Sequence, residues 1–461
     1  MDYQLQRRLL ITCGTILLSI YLRRSTTMNR PQRDRIANDR RLFLKGLAAT
    51  GLGFAGLQTS IARSAFADAA APARLGKYGP LVPDPAGVFD LPEGFSYQVV
   101  SRVGQRMDDG FVVPGLPDGM AAFPSDDPGR CLIVRNHELT YGDPRHAFAQ
   151  GVPDHLKSRV WDAGSGTPLP GGTTTLLYDT NEHRLIEQHL SLAGTERNCA
   201  GGPTPRNSWI TCEETVSRAE PGKRELDHGY CFEVHAAPLG SNTHGVVTPE
   251  PIYGMGRFNH EACCTSPNSG FVYMTEDAHD GLIYRFKPVD VDRLTAGGTL
   301  QALVVEGQPS LDTRNWDPGA GLLEQGEQMA LSWIDMDNIH APDDDLRLRG
   351  FQAGAARFAR GEGMWMGMST DINGQERPTI YIACTNGGPI KAGQIWKILL
   401  PDADTEASDA AGTLELFIEP NNRSVLENAD NIAQAPWGDL FVCEDGSNDQ
   451  FLLAVTPAGE V

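Results

Sequence analysis

The sequence predicts an all-β protein, a six-bladed β-propeller with long insertions and an incomplete last blade. One local pattern recurs five times: a polar or acidic residue, a turn, and an apolar run that ends at carboxylates, with starts at Asp118, Asn198, Asn259, Glu362 and Asn428. Short runs rich in β-branched and aromatic residues, separated by Gly, Pro and Asn, dominate from Gly94 onward and are typical of strands. The repeat starts lie roughly 60 to 100 residues apart, which fits propeller blades that carry insertions.

The geometry of a propeller gives this pattern a functional meaning. The innermost strand of each blade faces a central channel, so carboxylates at the strand ends would surround one axial pocket. The main insertion is expected at residues 311–358, as a loop rich in Trp and Asp followed by a helix. A two-sheet β-sandwich is the structural alternative.

Residues 1–67 are predicted to be a signal region for twin-arginine export. Arg40-Arg41, followed by Phe43-Leu44-Lys45, precedes a mild apolar segment at 46–57 and an Ala-Phe-Ala cleavage site at 65–67. The mature chain is therefore expected to begin near Asp68 and to be periplasmic or secreted, with the twin-arginine translocase as its export partner. The alternative is a surface basic patch in front of a core helix.

Within this region, residues 1–27 are predicted to be a mis-annotated start, with Met28 as the true first residue. The apolar stretch at 9–22 is short for a membrane span, and no segment of the mature chain is long and apolar enough to make one. Residues 68–93, rich in Pro, Ala and Gly, are predicted to be a lead-in segment. Residues 94–461 are predicted to form the catalytic propeller.

The chain of 461 residues has a formal net charge of −20. This balance excludes nucleic acid as a partner, because duplex binding needs a basic surface. The acidity is consistent either with solubility alone or with cation binding. The sequence has no Walker loop, no G-x-S-x-G elbow and no HExxH motif, which removes the corresponding enzyme classes.

The strand-end carboxylates are candidate metal ligands. Carboxylate and amide oxygens are hard ligands that suit calcium, although an acidic residue after a strand is often only part of a turn. The recurrence at one end of the repeat favours a metal site over turns. The candidates are Glu138, Glu213, Glu214, Glu261, Glu276, Asp277, Glu362, Asp430, Glu444 and Asp445.

One cysteine stands apart from the other eight. Cys199 lies in the turn-like segment Arg-Asn-Cys-Ala-Gly-Gly, and no two cysteines have zinc-finger spacing. A thiolate is soft and suits a transition metal such as iron, so Cys199 is a candidate iron ligand. The alternative is a free structural cysteine.

Three further residues are candidates for catalysis or phosphate contact. His137 and His260 both stand in Asn-His-Glu, where a histidine is either a proton carrier or a satisfied structural residue. Arg360 lies two residues before Glu362, and a guanidinium matches a phosphoryl group bidentately. The alternative for Arg360 is a salt bridge to a neighbouring carboxylate.

At these residues the chain resembles the PhoX-type alkaline phosphatases, a family of exported propeller enzymes. The resemblance runs from about Asp118 to Val461. The matching stretches are DGMAAF, RNHE, RNCAGGPTP, SWITCEE, FNHEA, TEDAHDGLIYRF, RGEGM, CTNGG, GQIW and NADNIAQAPWGDLFVCEDG.

The resemblance implies a phosphomonoesterase that acts on small-molecule phosphomonoesters. It also implies a cluster of iron (Fe3+) and calcium (Ca2+) that activates an oxygen nucleophile. Arg360 resembles a phosphate-binding arginine, with His260 and His137 as further catalytic candidates. The metal ligands predicted from the repeat and the resemblance together are Cys199, Glu213, Glu261, Glu276, Glu362, Asp430, Glu444 and Asp445.

The chain departs from the family pattern in two places. Arg206 follows Thr204-Pro205, where family members usually carry Trp or a similar residue. The chain also stops at Val461, before the strand pair with which family chains complete the ring, so either the product is truncated or the last blade closes in another way.

Two other functions fit the same features. A calcium-dependent, lactonase-like propeller hydrolase needs acidic axial ligands but no thiolate, so replacement of Cys199 separates it from the phosphatase. A non-catalytic or diverged propeller of the cell envelope would bind calcium without turnover, and would not require Cys199 or Arg360.

Overall fold

The computed structural model describes Arg8–Cys13, Ile16–Leu22 and residues 78–461, except 149–150, 165–166, 241–244, 372, 402–411 and 448. The predicted twin-arginine motif, the apolar segment after it and the cleavage site lie outside the described residues. The chain divides into two compact units, Met1–Leu9 with Ile20–Gln98, and Leu10–Ser19 with Val99–Val461. Among the helices that the structure describes, none is both long and apolar enough to cross a bilayer.

The N-terminal strands are short. They are β1 (Arg8–Cys13), β2 (Ile16–Leu22), β3 (Leu81–Val82), β4 (Leu91–Pro92) and β5 (Phe95–Val99). In the first unit β3 and β4 pair antiparallel, and the loop between them is held by Asp84. The Asp84 carboxylate accepts hydrogen bonds from the backbone N–H groups of Ala86 and Val88 at 3.0 and 2.9 Å.

The second unit is built from five antiparallel sheets in chain order, so the predicted all-β propeller is confirmed. The first has β6 (Pro117–Pro124), β7 (Arg130–His137), β8 (Gly171–Asp179) and β9 (Arg184–Thr195); the second has β10 (Asn198–Pro203), β11 (Ser208–Glu213) and β12 (Cys231–His235). The third has β13 (His260–Thr265), β14 (Val272–Glu276), β15 (Gly281–Pro288) and β16 (Gly298–Val305).

The predicted insertion contains regular structure of its own. It carries β17 (Gln328–Asp335), the helix α1 (Leu346–Gln352) and β18 (Arg357–Phe358). The helix was expected, but β17 was not. This strand pairs with β16 on one side and with the fourth sheet on the other, and so joins the third and fourth sheets into one ten-stranded sheet.

The remaining sheets follow the insertion. The fourth has β19 (Gly361–Thr370), β20 (Glu376–Cys384), β21 (Gln394–Leu399) and β22 (Thr413–Ile418), and the fifth has β23 (Ala429–Gln434), β24 (Leu440–Glu444) and β25 (Leu452–Val455). Short 3-10 turns occur at Asp154–Arg159, Tyr253–Met255, Leu294–Ala296 and Pro318–Ala320.

The first strand of each sheet lies at the centre of the unit. Strands β6, β10, β13, β19 and β23 contact one another in that order, and the Asn431 side chain of β23 donates to the Asp118 carboxylate of β6 at 3.1 Å. Glycines permit this close approach. A side chain at Gly119 would meet the Cα atom of Ala200 at 2.7 Å, and one at Gly363 would meet the carbonyl oxygen of Asp430 at 2.6 Å. Apolar layers between the sheets hold these central strands in place.

Candidate metal centre

The five central strands all begin in the same way. Each has a β-bulge between its first and fourth residues. A bulge inserts one extra residue and re-aims the side chains beside it. The second residue of the strand, which lies inside the bulge, is in every case a possible metal ligand: Asp118, Cys199, Glu261, Glu362 and Asp430.

A second ring of side chains is set by one hydrogen bond that all five sheets share. The residue just after the second strand donates its backbone N–H to the carbonyl of the residue just before the first strand, at 2.9 to 3.1 Å. This bond places the donor residue beside the bulge. The five pairs are Glu138 with Leu116, Glu214 with Arg197, Asp277 with Asn259, Thr385 with Arg360, and Asp445 with Asn428.

The side chains of the two rings form three groups that could each hold a cation. Asp118, Glu138 and Cys199 form the first group; Cys199, Glu214 and Glu261 the second; Glu261, Glu362 and Asp430 the third. In each group the ligand atoms lie within 4.8 Å of one another. Cys199 and Glu261 each belong to two groups, so the three groups form one continuous cluster.

The centre contains buried carboxylate oxygens that no donor serves. Glu261 is fully buried, and neither of its two oxygens has a hydrogen-bond partner among the described residues; Oδ1 of Asp430 is in the same state. Burial of one polar group without a hydrogen-bond partner costs roughly 1–3 kcal/mol of folding free energy. Oxygens left bare among other carboxylates fit a bound cation.

The same crowding changes the protonation of these groups. Burial and the neighbouring Glu362 and Glu214 hold the pKa of Glu261 well above its ordinary range. Burial, Asp445 and Glu138 raise the pKa of Asp430 to about 7. Without a bound cation, protons on these carboxylates therefore neutralise part of the negative charge of the centre.

The thiol and Glu214 behave similarly. Burial and then Asp118 raise the pKa of Cys199 well above the usual range of a thiol. Burial raises the pKa of Glu214; Arg197 opposes this change and Asp277 adds to it, giving a value of about 9. Since metal ligands must be deprotonated, cation binding at this centre would release protons.

Arg360 is placed beside the third group. Its guanidinium donates from Nε and Nη2 to the two oxygens of Asp277 at 2.7 and 2.6 Å, and Nη2 lies 2.8 Å from Oε1 of Glu362. Its backbone is in the left-handed region, with a φ of 55°, which bulky residues rarely adopt. About a third of the side chain, 34%, is exposed, so the guanidinium also faces solvent.

Three predicted ligands point away from the cluster. Each is the last residue of the second strand, and side chains alternate along a strand, so it faces the opposite side from the residue after it. Glu213 accepts from the N–H groups of Glu196, Gly229 and Tyr230. Glu276 accepts from Tyr284 and Leu282, and Glu444 from Glu427 and Phe451.

Of the remaining predicted residues, one lies in the second ring of the centre and two lie in the buried interior. Asp445 is in the second ring. His137 is buried with both ring nitrogens engaged, by the Gly115 carbonyl and the Thr174 hydroxyl, each at 2.9 Å. His260 is buried against Phe258 and contacts the Gly256 carbonyl at 3.1 Å. Burial lowers the pKa of both histidines, which favours neutral, structural rings.

Two residues of the centre were not among the sequence candidates. Asp118 was treated only as a repeat start, although it holds the same strand position as Cys199. Arg197 was overlooked, although it precedes Cys199 by two residues, as Arg360 precedes Glu362. Alignment of the five repeats on their ligand positions would have found both.

Comparison with known proteins identifies the family. The model of the family described as alkaline phosphatase PhoX matches residues 76–184 and 154–461. Among solved structures, the chain is similar to Pseudomonas fluorescens PhoX in complex with vanadate, a transition state analogue. The identity is 17%, the match covers 80% of this chain and 85% of that chain, and the TM-score is 0.56. A search among curated protein sequences gives no significant match.

Similarities to other solved structures are weaker. The iodide structure of Trichoderma reesei Carbohydrate-Active Enzymes Family AA12 is 12% identical, with coverage of 77% and 95% and a TM-score of 0.34. The Pseudomonas aeruginosa periplasmic gluconolactonase is 14% identical, with coverage of 79% and 90% and a TM-score of 0.31. The family match spans most of the chain, and the chain therefore belongs to the alkaline phosphatase PhoX family.

Proposed function

We propose that this protein is an exported, metal-dependent phosphomonoesterase that works with iron and calcium. The observation that carries the proposal is the fully buried carboxylate of Glu261. Its two oxygens have no hydrogen-bond partner in the described part of the chain, and it belongs to two ligand groups. Membership of the alkaline phosphatase PhoX family supports a phosphoester as substrate. The vanadate in the similar Pseudomonas fluorescens structure belongs to that protein, and agrees with this choice of chemistry.

The donor atoms divide the centre into two kinds of site. The groups that share the Cys199 thiol suit iron, because a soft sulfur ligand favours a transition metal. The third group, Glu261 with Glu362 and Asp430, offers oxygens alone and suits calcium. When bound, such cations supply Lewis-acid stabilisation of the phosphoryl charge and favour an oxygen nucleophile at neutral to alkaline pH.

The protein's own contribution is position. The carboxylate of Asp277 accepts hydrogen bonds from Nε and Nη2 of Arg360, and the carboxylate of Glu362 lies beside the same guanidinium. Because Asp277 occupies Nε and Nη2, the permanently charged guanidinium can offer its Nη1 side to a phosphoryl oxygen and offset the charge of the phosphoryl group. This arrangement favours a dianionic monoester over a neutral ester, because a neutral ester gains nothing from the cation.

Export by the twin-arginine route is part of the proposal and rests on the sequence. The motif at Arg40-Arg41 and the Ala-Phe-Ala site precede the described propeller. A route that carries folded proteins would let the centre acquire its metals before export. The mature protein is then expected in the periplasm or outside the cell.

The test is turnover and metal content of Cys199→Ser beside a matched control. Purified, metal-replete protein should hydrolyse a generic phosphomonoester at alkaline pH, and a calcium chelator should abolish turnover. Cys199→Ser should lose iron and activity together, whereas Cys131→Ser, at the half-buried second residue of β7, should keep both. Folded, metal-loaded wild type without phosphomonoesterase activity would contradict the proposal, and so would an unchanged Cys199→Ser.

A further inference from the structure

We propose that Arg197 is a second phosphoryl-binding arginine, and that it holds the substrate phosphate from the side opposite Arg360. The inference rests on the proposed function. It concerns a residue that was not among the sequence candidates, and it predicts a two-arginine clamp for the dianionic phosphoryl group.

The backbone places the two arginines equivalently. Each is the residue just before a central strand, two residues before a member of the cluster: Cys199 for Arg197 and Glu362 for Arg360. Each has a φ of 55° in the left-handed region. Each also accepts the shared hydrogen bond, from Glu214 and Thr385 respectively. The same local geometry therefore projects both side chains from the same level of the ring.

The side chains also pair in the same manner. Nε of Arg197 donates to Glu138 of the preceding sheet at 3.0 Å, as Nε of Arg360 donates to Asp277 of its preceding sheet at 2.7 Å. Nη2 of Arg197 lies 3.1 Å from Glu214, as Nη2 of Arg360 lies 2.8 Å from Glu362. Within the described part of the chain, the side-chain hydrogen bonds of the two guanidinium groups come from Nε or Nη2, and none comes from Nη1.

The two arginines are linked through the cluster. Glu214 and Glu362 belong to two ligand groups that share Glu261. Arg197 contacts Glu214 and Arg360 contacts Glu362. The two guanidinium groups thus approach ligand groups that meet at Glu261, and 40% and 34% of their side chains are exposed.

Charge and shape both favour a phosphoryl ligand between them. A phosphoryl group carries several oxygens, and each Nη1 can donate to a different one. Arginine stays protonated at every relevant pH, so the clamp would remain charged under alkaline conditions where a lysine or histidine would lose its charge. A residue needed only to bridge two carboxylates would not require a partly exposed guanidinium edge.

The test uses Arg197→Gln and Arg197→Lys in the metal-loaded protein, with inorganic phosphate as the probe. Arg184→Gln is the matched control, because Arg184 is exposed and pairs only locally with Glu182 at 2.6 Å. We expect Arg197→Gln to weaken phosphate binding about ten- to a hundredfold by calorimetry and to raise KM similarly, the usual effect of a lost charged hydrogen bond. Arg197→Lys should restore only part of this loss, and Arg184→Gln should match wild type.

Metal content separates the outcomes. Arg197→Gln with normal iron and calcium, normal thermal stability and unchanged phosphate affinity and KM would overturn the inference. So would a variant that loses its metals while Arg197→Lys recovers metals and phosphate affinity completely, since Arg197 would then act only on Glu138 and Glu214. Wild type that binds phosphate but hydrolyses no phosphomonoester would contradict the proposed function alone, because the clamp is read from binding.

Discussion

Two buried carboxylate clusters lie in adjoining layers of this protein, and they differ in one respect. Behind the centre, Glu213, Asp162 and His228 form a network in which the His228 ring contacts the two carboxylates at 2.6 and 3.3 Å. Backbone N–H groups of Gly164, Glu225 and Leu226 complete the shell of Asp162. In the centre itself, Glu261 accepts no hydrogen bond from any residue that the structure describes. A satisfied carboxylate supports the fold, whereas a bare one is available to a cation.

Adjacent residues can fall on opposite sides of this boundary. Glu213 ends β11 and serves four donors, whereas Glu214 follows it and joins a ligand group. Residue type therefore does not distinguish a structural glutamate from a candidate ligand here. What distinguishes them is the face of the strand on which the side chain lies, and whether backbone N–H groups are close enough to donate to it.

The largest effect is expected at Glu261. Glu261→Gln should remove a shared ligand, lower iron and calcium content, and reduce turnover by about a hundredfold or more, beyond what the loss of a supporting group costs. The metal-free variant should unfold at a higher temperature than metal-free wild type, because a buried carboxylate without a partner is gone. Elemental analysis, turnover and calorimetry measure the three effects. A Glu261→Gln variant that kept its metals and full turnover would contradict the distinction between a bare carboxylate that binds a cation and a satisfied one that supports the fold.

The reverse pattern is expected at Glu213. Glu213→Gln leaves His228 and three backbone N–H groups without their anionic partner, and removal of one partner of a buried ion pair costs about 3–5 kcal/mol. The free energy of unfolding, measured by denaturant titration, should fall by that order while metal content stays normal. A variant that keeps its stability but loses its metals would move Glu213 from the scaffold into the centre.

A smaller effect is expected in the pH dependence of the free energy of unfolding, which should differ between metal-free and metal-loaded protein. The pKa of Asp430 rises from 3.8 to about 7, and that of Glu214 from 4.5 to about 9. Between these limits the folded metal-free state holds more protons than the unfolded state, so its stability falls as pH rises. Bound cations replace those protons, so the loaded protein should lose less stability from pH 5 to about 9.

His228 provides the internal control for this titration. Burial alone would lower its pKa, but Glu213 and Asp162 raise it from 6.5 to about 10. A histidine with a raised pKa stabilises the fold below the unfolded value, and this contribution is lost as pH rises toward the folded value. This loss of stability occurs with or without metals. The difference between the stability–pH curves of the metal-free and the metal-loaded protein therefore measures the titration of the centre alone. Parallel curves would contradict the assignment of Asp430 and Glu214 to a cation site.

Much of the fold and part of the site could be predicted from the sequence. The fivefold repeat located the second strand of all five sheets, because apolar runs that end at turns are a local signal. The polar starts of the repeat, which were predicted to be followed by a turn, instead lie in or just before the central strands. The repeat could not reveal β17, whose pairing with β16 and β22 joins segments far apart in the chain. Nor could it tell Glu213 from Glu214, because the choice depends on where each strand ends and which N–H groups reach the side chain.

The arginines show the same limit. Arg360 stands two residues before a glutamate, which is an evident carboxylate ligand, whereas Arg197 stands two residues before a cysteine. The shared backbone conformation and the shared hydrogen bond show that the two positions are equivalent. Glu261 and Asp430, which were candidates from the sequence and lie in the cluster, owe their prominence to the repeat rather than to any motif of their own.

The central claim is that the bare carboxylates and the thiol hold metal ions. The most direct measurement is an anomalous difference map at the iron edge from crystals of metal-replete protein. The account predicts its strongest peak within bonding distance of the Cys199 sulfur, beside Asp118, Glu138, Glu214 or Glu261. A map with no iron at Cys199 in a sample shown to contain iron, or with its only peak among the buried thiols of Cys212 and Cys231, would contradict it.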